Sequence, residues 1–485
     1  MSVLRVGRFR GSVLPADCAI NRPATVNRPR TPEPGGDRAF AQNPSRMKPR
    51  PPLPGGPYLV VGLARSGVAA AYALRALGEE VIGLDTGTPT IGRLRDVGVE
   101  VHLDVDGTEL VQRVRALVKS PGVPQDAPVV VAARALGMPV IGELELGWRM
   151  IPNDFVAVTG TNGKTTTTEL LGEMYRHAGL PVAVAGNVGT AVSGLVDKLE
   201  PGATVVCEAS SFQLEDTEAF APEAAVLINI GEDHLDRHGT FEAYRDAKLQ
   251  AFARQQPADV AVAPVELASI LIGAGRRITF GEGREPDVGL HAGHIWSGGH
   301  EFIRTSDIRL RGRHNLDNVM AAVGAALARG VAGNAVRDAL RSFAGVPHRM
   351  EEIADIDGVL YVNDSKATNV GSTLVALASF ESGVHLILGG RGKGGGYAAL
   401  RGPVASHCHA VYLIGEAADE IAEDLDGLSV PVTHHGDLEH AVAAARAAAD
   451  RDDVILLSPA CASFDQYTDY EARGVHFGRL VTGRA

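Results

Sequence analysis

The sequence predicts an α/β protein of three domains with mostly parallel sheets, and three observations lead to this prediction. At roughly 100–200 residues per domain, a chain of 485 residues is long enough for three. Short apolar runs typical of buried strands alternate with helical segments from residue 58 onward. One run, at 156–159, ends in a glycine-rich turn that opens a helix. We place a leader at 1–56 and domains at 57–142, 143–346 and 347–485.

The predicted leader, residues 1–56, is rich in proline and arginine. Because this composition can neither build a core nor sustain a regular helix, we predict that the leader is disordered. An arginine-rich, acid-poor leader also suits an organelle transit peptide, but its prolines oppose the amphipathic helix that such a peptide forms. Met47 lies just before the first convincing strand and is an alternative start of translation.

Charge and cysteine content narrow the class of protein. The formal net charge of −12 argues against nucleic-acid binding, because polyphosphate backbones select basic surfaces. No apolar stretch is long enough to cross a bilayer. The cysteines are scattered without a CxxC pair, so they indicate neither a disulfide framework nor a zinc ribbon. These features predict a cytoplasmic protein that acts on small molecules.

The first domain begins with a strand, a turn, a helix and a second strand. The turn, Gly62-x-Ala64-x-x-Gly67, has the outline of a dinucleotide-binding fingerprint, and Asp85 ends the second strand where a ribose-binding acid would lie. NAD binding, nucleotide-sugar binding or tight helix–strand packing alone would each explain this turn. The N-terminus of the helix favours a diphosphate in the first two cases. The loop 119–123 follows another strand, and we place it at the same mouth.

The central domain opens with the segment VAVTGTNGKTT at 156–166. Gly160 and Gly163 allow backbone N–H groups to turn toward phosphate oxygens, and the following helix directs its positive end at them. Lys164 can reach the outer phosphates, and the Thr165 hydroxyl can bind Mg²⁺. The loop is a GxxGKT variant, because Val158 stands where the full motif has its first glycine. It predicts that the chain binds a nucleoside triphosphate.

Two more strand ends in this domain carry polar side chains. Asn187 follows an apolar strand between two glycines, so its amide is presented at the edge of the sheet. Glu208 ends the next strand, as an acid does in many Mg²⁺-binding strands. The alternative for Glu208 is a solvated charge at a strand end. We predict a metal-binding role.

A cluster of acids and histidines follows the next apolar strand and contains Asp233, His234, Asp236 and His238. The two histidines would suit a zinc hydrolase, but the phosphate loop upstream makes a Mg²⁺ site with oxygen ligands more consistent. We expect His238 to face solvent. Lys248, on the helix after this cluster, has by default the character of an ordinary surface lysine.

From about residue 348 the chain resumes the alternation of short apolar strands with helices, which predicts a third α/β domain. These segments also complete a resemblance. TGTNGKTTT, AGNVG, EASSFQLE, NIGEDHLDRHG, YRDAK, GRHNLDNVMAA, PHRME, NDSKATN, LGG-x-GKGG and LSPACASFDQY resemble the successive motifs of the Mur ligase family, and they cover nearly everything from Tyr58 onward. SSFQLE, NDSKATN and SPACASFDQ are most similar to the member that adds D-glutamate to UDP-N-acetylmuramoyl-L-alanine in peptidoglycan synthesis.

The resemblance implies an ATP-dependent ligase. ATP would phosphorylate the terminal carboxylate of the UDP-muramoyl substrate, and the amine of D-glutamate would displace phosphate from the acyl phosphate to form an amide, with release of ADP. Two Mg²⁺ ions are implied, one held by Thr165 and Glu208 and one by His234. Lys248 matches a family lysine that carries a carbamate, and such a group can approach the second ion. The catalytic residues implied are Lys164, Glu208, His234 and Lys248. A monomer acting on small molecules is expected.

The resemblance also assigns the binding residues. ATP is implied to bind Gly160, Thr161, Asn162, Gly163, Lys164, Thr165, Thr166, Asn315, Asn318, His348, Arg349, Asp364 and Lys366. The UDP-substrate is implied to bind Gly62, Ala64, Arg65, Ser66, Gly67, Asp85, Thr86, Ser120, Gly122, Asn187, Ser210 and Gln213. D-glutamate is implied to bind Thr368, Lys393, Ser463, Phe464 and Tyr470. Core packing is the alternative role for Phe464 and Tyr470.

Two positions depart from the family pattern. Gly87 stands where an arginine often follows the Asp85-Thr86 pair, so uracil recognition is expected to differ. Arg391 stands in the glycine loop before Lys393, where it is expected to add positive charge near the amino-acid pocket. Because the implied ATP contacts are split between two domains, we expect the site to form by hinge closure near 346–347.

Three other functions remain open on the sequence. A sibling ATP-dependent ligase, either another muramyl ligase or a folylpolyglutamate synthetase-like enzyme, would share the phosphate loop and the Mg²⁺ residues. A nicotinamide-dependent oxidoreductase would use the Gly62–Gly67 turn and leave Lys164, His234 and Lys248 without a role. A nucleotide-binding switch would hydrolyse ATP without an amino acid.

Overall fold

The computed structural model describes residues 48–310, 312–392, 394 and 396–483. These residues belong to one compact unit and contain three β-sheets with helices packed against them. The predicted α/β fold with three domains and mostly parallel sheets is confirmed. No helix in the described part of the chain is both long enough and apolar enough to span a membrane.

The predicted leader extends into the described residues only at 48–56, and there the prediction of disorder is wrong. Lys48 Nζ lies 2.6 Å from Asp259 Oδ2, and Arg50 Nη1 lies 3.3 Å from Glu223 Oε1. The Arg50 guanidinium also stacks 4.4 Å from the centroid of Trp148. Two buried carboxylates of the central domain therefore hold this short segment. Residues 1–47, including Met47, lie outside the described residues.

The first sheet is wholly parallel and has the strand order β3-β2-β1-β4-β5. This is the order of a Rossmann half with its switch point between β1 and β4. Its strands are Tyr58–Val61 (β1), Val81–Asp85 (β2), Glu100–Leu103 (β3), Ala116–Lys119 (β4) and Val140–Gly142 (β5). The helices are Arg65–Ala76 (α1), Pro128–Ala135 (α2) and Glu143–Met150 (α3).

Helix α3 joins the first domain to the second. Leu146 packs into the core formed by β1 and α1, whereas Leu144 and Trp148 pack into the core beneath the central sheet. The helix therefore buries one side in each domain.

The central sheet has the order β14-β13-β12-β11-β10-β9-β6-β8-β7 among the described residues. The strands β7, β8, β6, β9, β10, β11 and β12 run parallel, and β13 and β14 add an antiparallel edge that the sequence reasoning did not anticipate. The strands are Phe155–Thr159 (β6), Val182–Gly186 (β7), Thr204–Glu208 (β8), Ala224–Leu227 (β9), Val260–Pro264 (β10), Arg276–Glu282 (β11), Val288–His291 (β12), His294–Ser297 (β13) and His300–Arg304 (β14). The helices are Lys164–His177 (α4), Ser211–Leu214 (α5), Leu235–His238 (α6), Phe241–Leu249 (α7), Arg313–Ala328 (α8) and Gly333–Ser342 (α9).

The third sheet has the order β15-β16-β20-β17-β18-β19 and is parallel except for the hairpin of β15 and β16. Its strands are Glu351–Ile356 (β15), Val359–Asn363 (β16), Val384–Gly389 (β17), Cys408–Ile414 (β18), Val432–Gly436 (β19) and Val454–Leu457 (β20). The helices are Val370–Leu377 (α10), Arg401–His407 (α11), Ala418–Asp424 (α12), Leu438–Ala448 (α13) and Tyr470–Thr482 (α14).

Candidate functional site

The predicted phosphate loop lies at the carboxyl end of β6, which is flanked by β8 and β9. Gly163 has a left-handed backbone (φ 81°) and ends the loop as the N-cap of α4, and a β-carbon there would overlap the Asn318 side chain. The carboxamide of Asn229 accepts hydrogen bonds from Thr161 N (3.1 Å) and Asn162 N (2.9 Å). Asn229 therefore fixes the backbone of the phosphate loop. Sequence reasoning missed this residue, although its position just after the apolar strand β9 was a signal that could have identified it.

Lys164 lies inside this loop rather than in solvent. Its Nζ donates to Gly160 O at 3.0 Å and to Thr161 O at 2.8 Å. Burial is the main cause that lowers the pKa of Lys164, and the positive charge of Arg349 adds to it, while Glu208 and Asp233 act in the opposite direction. An ammonium held by two carbonyls of a glycine loop at a helix N-terminus is suited to bind an anionic phosphate.

A chain of polar contacts links the first turn of α4 to the neighbouring strand ends. Thr165 Oγ1 donates to Glu208 Oε2 at 2.7 Å, and Asn187 Nδ2 donates to Glu208 Oε1 at 3.0 Å. Arg349 Nη2, from the C-terminal domain, donates to Thr165 Oγ1 at 2.9 Å. Glu208 is buried, so the alternative of a solvated strand-end charge is wrong. The fold therefore brings together four residues that the sequence predicted for the site: Thr165, Asn187, Glu208 and Arg349.

Lys248 is buried, with 2 % of its surface exposed, so the default view of it as a surface lysine is wrong. Its Nζ donates to Gly160 O at 2.7 Å and lies 4.4 Å from the centroid of Tyr244. Burial is the main cause that lowers the pKa of Lys248 to about 6, and nearby Lys164 lowers it further. The side chain is therefore largely a neutral amine at pH 7, next to the phosphate loop.

The cluster after β9 divides into an open part and a packed part. His234 has a left-handed backbone (φ 52°) and a side chain that is 48 % exposed, with its Nε2 3.5 Å from Asp233 Oδ2. His238, in contrast, is buried, hydrogen-bonded to Ser211 Oγ at 3.0 Å and stacked on Phe212. The expectation that His238 faces solvent is wrong, because the Phe212 ring covers it. His234 remains accessible to a ligand.

A cavity of about 480 Å³ lies between the central and C-terminal domains beside the phosphate loop. Residues 344–346 line it together with eight of the predicted ATP-binding residues: Asn162, Gly163, Thr166, Asn315, Asn318, Arg349, Asp364 and Lys366. Asn318 Nδ2 donates to Asn315 Oδ1 at 2.9 Å, which orients both amides. The volume suits part of a nucleotide.

Asp364 and Lys366 have perturbed pKa values within this cavity wall. Burial raises the pKa of Asp364 to about 7 against hydrogen bonds from Ser458 Oγ (2.8 Å) and Met350 N. Burial, with help from the charge of Arg349, lowers the pKa of Lys366 to about 8, and its Nζ lies 3.8 Å from the centroid of Tyr470. Such shifts are frequent at functional sites.

His348 precedes this pair and has a left-handed backbone (φ 63°). Its Nδ1 lies 2.9 Å from Asn363 Nδ2, and its backbone N donates to Glu351 Oε2 at 2.8 Å. These contacts fix the turn that carries Arg349 toward Thr165. His348 is therefore placed to position Arg349.

The turn of the first domain has the geometry expected of a ligand-binding turn. Gly67 packs so closely that a β-carbon there would overlap Gly62 O, and Ser120 Oγ donates to the same carbonyl at 2.7 Å. Asp85 accepts from Leu63 N (2.6 Å) and Gly87 N (2.8 Å), so its carboxylate organises the turn. Ala64, Arg65, Thr86 and Gly122 are exposed around this mouth and Ser66 is half-buried. Gly87 thus contributes a backbone donor where the family often has an arginine.

Contacts between the first and central domains are polar and buried. The fully buried Lys119 Nζ lies 2.8 Å from Asp216 Oδ2 and donates to Val123 O at 2.7 Å. Arg237 Nη2 also donates to Val123 O at 2.8 Å. Sequence reasoning placed the loop 119–123 at the mouth but missed Asp216, which directly follows the EASSFQLE segment.

Ser210 and Gln213 form a capping box at the start of α5. Ser210 N donates to Gln213 Oε1 at 3.0 Å, and Gln213 N donates to Ser210 Oγ at 3.3 Å. Gln213 is buried, so its contacts here are with the helix start.

A second cavity, of about 420 Å³, lies beside the predicted amino-acid pocket. Thr368 lines it from the C-terminal domain, and Asp233 lines it from the central domain. Ser463 is buried, whereas Phe464 is 61 % exposed, so core packing does not explain Phe464. Tyr470 lies with Lys366 and His348 instead. Lys393 lies outside the described residues.

Arg391 does not leave a free positive charge near this cavity. Its guanidinium makes a two-pronged ion pair with Glu416, at 3.0 Å and 3.1 Å. The expected gain of positive charge is therefore offset by a carboxylate 25 residues later in the chain.

Comparisons with known proteins agree with this geometry. The model of the Mur ligase middle domain matches residues 158–326, and that of the Mur ligase glutamate ligase domain matches 348–461. A protein of Acidobacterium capsulatum named UDP-N-acetylmuramoylalanine–D-glutamate ligase is 44% identical over 88% of this chain and 96% of its own length. Proteins of the same name are 42% identical in Koribacter versatilis (87% and 96%) and 44% identical in Anaeromyxobacter dehalogenans (90% and 99%).

Solved structures show the same fold. The UDP-N-acetylmuramate-alanine ligase MurC of Thermotoga maritima matches with a TM-score of 0.57 and 21% identity, over 88% of this chain and 99% of that one. The MurF ligase of Thermotoga maritima in complex with ADP matches with a TM-score of 0.55 and 18% identity, over 84% and 96%. Taken with the phosphate loop and its strand-end partners, these similarities show that the chain belongs to the Mur ligase family.

Proposed function

We propose that this protein is an ATP-dependent ligase that adds D-glutamate to UDP-N-acetylmuramoyl-L-alanine. The observation that carries the proposal is the convergence of Lys164 and Lys248 on Gly160 O beside the contact of Thr165 with Glu208. A nicotinamide-dependent oxidoreductase gives these four side chains no role. The similarity to named D-glutamate ligases along nearly the whole chain supports the choice of substrates.

The chain's own groups account for activation of the carboxylate. The loop amides and Lys164 would hold the outer phosphates of ATP, and Arg349 would bring a second cation from the C-terminal domain. The γ-phosphoryl group would move to a carboxylate oxygen of the muramoyl substrate, breaking its bond to ADP. The amine would then attack the acyl carbon, and phosphate would leave with the carboxylate oxygen. Positioning and electrostatic stabilisation would supply most of the acceleration.

The residues around Glu208 fit a hard divalent ion. Glu208 and the Asn187 amide, at adjacent strand ends, and the Thr165 hydroxyl, in the first turn of α4, offer oxygen atoms. The side chain of His234 is also accessible. We propose that Thr165 and Glu208 hold one Mg²⁺ and that His234 serves a second. Bound Mg²⁺ would neutralise charge on the phosphoryl group during its transfer.

Lys248 fits carbamate formation. The neutral amine can attack CO₂, forming an N–C bond and releasing one proton to solvent, and only the unprotonated form has the required electron pair. Its lowered pKa near 6 keeps that form present at neutral pH. The resulting anion would be drawn toward Lys164 and a metal rather than repelled. We propose that Lys248 carries this modification.

The cavities support a division of substrates between domains. ATP would occupy the cavity lined by Asn318 and Asp364, the uridine nucleotide would bind at the Gly62–Gly67 turn, and D-glutamate would bind near Thr368. Phe464 is exposed near the last of these. We further propose a monomer that works in the cytoplasm.

Mass spectrometry of the product tests the proposal. The protein is incubated with ATP, Mg²⁺, UDP-N-acetylmuramoyl-L-alanine and one amino acid at a time from a panel that includes both glutamate enantiomers. The expected result is the mass of one added glutamyl residue with D-glutamate alone. A product with a different amino acid would indicate a sibling muramyl ligase, and acceptance of a folate in place of the muramoyl substrate would indicate a folylpolyglutamate synthetase-like enzyme. ADP release without any acceptor would contradict ligase chemistry.

A further inference from the structure

A group of two histidines and one aspartate lies at the amino-terminal edge of the third sheet, away from the strand ends that carry the candidate active site. His385 is the second residue of β17, His409 is the second residue of β18, and Asp453 directly precedes β20. The side-chain ligand atoms of these three residues all lie within 4.8 Å of one another. Neither the proposed ligase chemistry nor its substrates use them.

Two distances in this group match the spacing between ligands of a tetrahedral metal site. His385 Nε2 lies 3.2 Å from Asp453 Oδ2, and His409 Nδ1 lies 3.3 Å from Asp453 Oδ1. With bonds of about 2.0–2.1 Å from zinc to nitrogen or oxygen, neighbouring ligands of a tetrahedron are about 3.3–3.4 Å apart. Each imidazole nitrogen therefore lies at this spacing from one oxygen of Asp453, and the ligand atoms of the two histidines lie within 4.8 Å of each other.

The backbone presents one of these ligands through an irregularity in the sheet. The pairing of β17 with β18 shifts register between Val384 and His385, so that Val384 lies opposite Cys408 and His385 lies opposite Ala410. His409 is the extra residue of this bulge. Bulges re-aim a side chain relative to the regular pleat. The bulge thus directs His409 toward Asp453.

The remaining ligands are held by their own partners. Tyr412 OH lies 2.9 Å from His385 Nδ1, and Asp450 N donates to Asp453 Oδ2 at 2.8 Å. When His385 Nδ1–H donates its hydrogen bond to Tyr412 OH, the Nε2 atom of His385 keeps a free electron pair for a metal. Such outer contacts orient histidine and carboxylate ligands in metal sites. His385 and Asp453 are buried, while His409 is 57 % exposed and leaves the site open to solvent.

We propose that His385, His409 and Asp453 bind a divalent transition-metal ion of the Zn²⁺ class, with solvent as the fourth ligand. Imidazole and carboxylate together suit Zn²⁺ and disfavour Mg²⁺, which prefers oxygen ligands. The ion would join two strands and the loop before a third, across residues far apart in sequence. Its role would be to stabilise the C-terminal domain. This site is independent of the proposed ligase function.

Metal titration of the tag-free full chain tests the proposal, with excess Mg²⁺ present to occupy oxygen-ligand sites. Zn²⁺ affinity is measured by calorimetry, and Co²⁺ serves as a spectroscopic probe because tetrahedral Co²⁺ absorbs far more intensely than octahedral Co²⁺. We expect the wild type to bind one equivalent of Zn²⁺ with a rise in Tm, and His409→Ala to weaken that binding at least tenfold and to lose the intense Co²⁺ bands.

The matched control is His440→Ala, which removes another exposed histidine of the same domain, one paired with Asp437. It should bind Zn²⁺ as the wild type does. Because His409 is exposed, His409→Ala is expected to fold, and its Tm without metal checks this. The proposal is overturned if the wild type binds no Zn²⁺, or if His409→Ala and the wild type bind it equally. In that case the three residues form a hydrogen-bonded network only.

Discussion

The central domain meets its two neighbours in different ways. Toward the first domain, the buried Lys119 pairs with the buried Asp216, and α3 packs into both cores. Toward the C-terminal domain, Arg349 reaches Thr165 across a boundary that contains cavities of about 480 Å³ and 420 Å³. The first boundary also borders a cavity, of about 550 Å³, but none of the phosphate-loop residues lines it. The cavities at the second boundary are lined by Asn162 of the phosphate loop, so this boundary leaves room for ligands beside that loop.

This difference indicates which boundary opens. A buried ion pair that loses one partner costs several kcal/mol, so the first domain is expected to stay fixed on the central one. The C-terminal domain is held through a cation that would itself bind phosphate, so ATP can replace a contact within the protein. We expect closure of the C-terminal domain near 346–347, and small-angle scattering with an ATP analogue and substrate should show compaction.

The largest expected effect is at the boundary between the central and C-terminal domains. Lys164→Ala removes the cation at the centre of the phosphate loop, and we expect kcat to fall by about 10³ or more, since preorganised charge supplies much of the barrier reduction. Steady-state kinetics measure this. Lys198→Ala, an exposed lysine of the same domain that bonds only to Gly194 O among its described contacts, is the control and should retain activity. Equal kcat in both variants would remove Lys164 from the mechanism.

The next largest effect is on stability, at the boundary between the first and central domains. Lys119→Met leaves Asp216 buried without its cation, and we expect the free energy of unfolding to fall by about 3–5 kcal/mol. Urea unfolding measures this change, while kcat of the folded fraction should change little. A double-mutant cycle with Asp216→Asn should show strong coupling between the two positions. Independent effects of the two substitutions would mean that this pair does not hold the domains together.

For Lys248→Ala we expect kcat to fall by about 10², because the substitution removes one group that stabilises charge in the transition state. Formate or acetate should restore part of the activity by replacing the missing carbamate. Labelled CO₂ should give a carbamate signal by NMR in the wild type and none in the variant.

The pH dependence of that signal has a definite sign. The pKa of Lys248 is lowered to about 6, so below that pH the amine is protonated and cannot attack CO₂. We expect the carbamate signal to fall as pH drops through 6 and to be retained above it. A signal that persists well below this pH would contradict the assignment.

The smallest effect is expected for Arg349→Lys, which keeps the charge but loses the planar fork of donors. We expect about a tenfold rise in KM for ATP, with Tm within a degree or so of the wild type because the contact with Thr165 is not part of a core. Arg341→Lys, at an exposed arginine paired with Asp338, is the control. A large loss of stability in Arg349→Lys would show that this boundary is held as tightly as the first.

The local sequence was sufficient to predict those site residues that lie directly after a strand. The glycine turn before Lys164 and the acid at Glu208 were predicted because both lie at the carboxyl ends of apolar strands, which meet at one edge of a parallel sheet. The antiparallel strands β13 and β14 were not predicted, since each is short and rich in polar residues.

Local sequence patterns could not predict contacts between residues that are far apart in the chain. The burial of His238 depends on Phe212, the pairing of Arg391 depends on Glu416, and the order at 48–56 depends on Glu223 and Asp259. Each involves a partner that no spacing rule identifies. Lys248 is intermediate, because its helix was predicted but its burial against Gly160 was not.

The central claim is that ATP activates a carboxylate of the acceptor by phosphorylating it, and isotope transfer tests it most directly. UDP-N-acetylmuramoyl-L-alanine labelled with heavy oxygen in its terminal carboxylate is converted with ATP, Mg²⁺ and D-glutamate. The account predicts one labelled oxygen in each inorganic phosphate released and one in each amide formed. Unlabelled phosphate accompanying labelled product would contradict it.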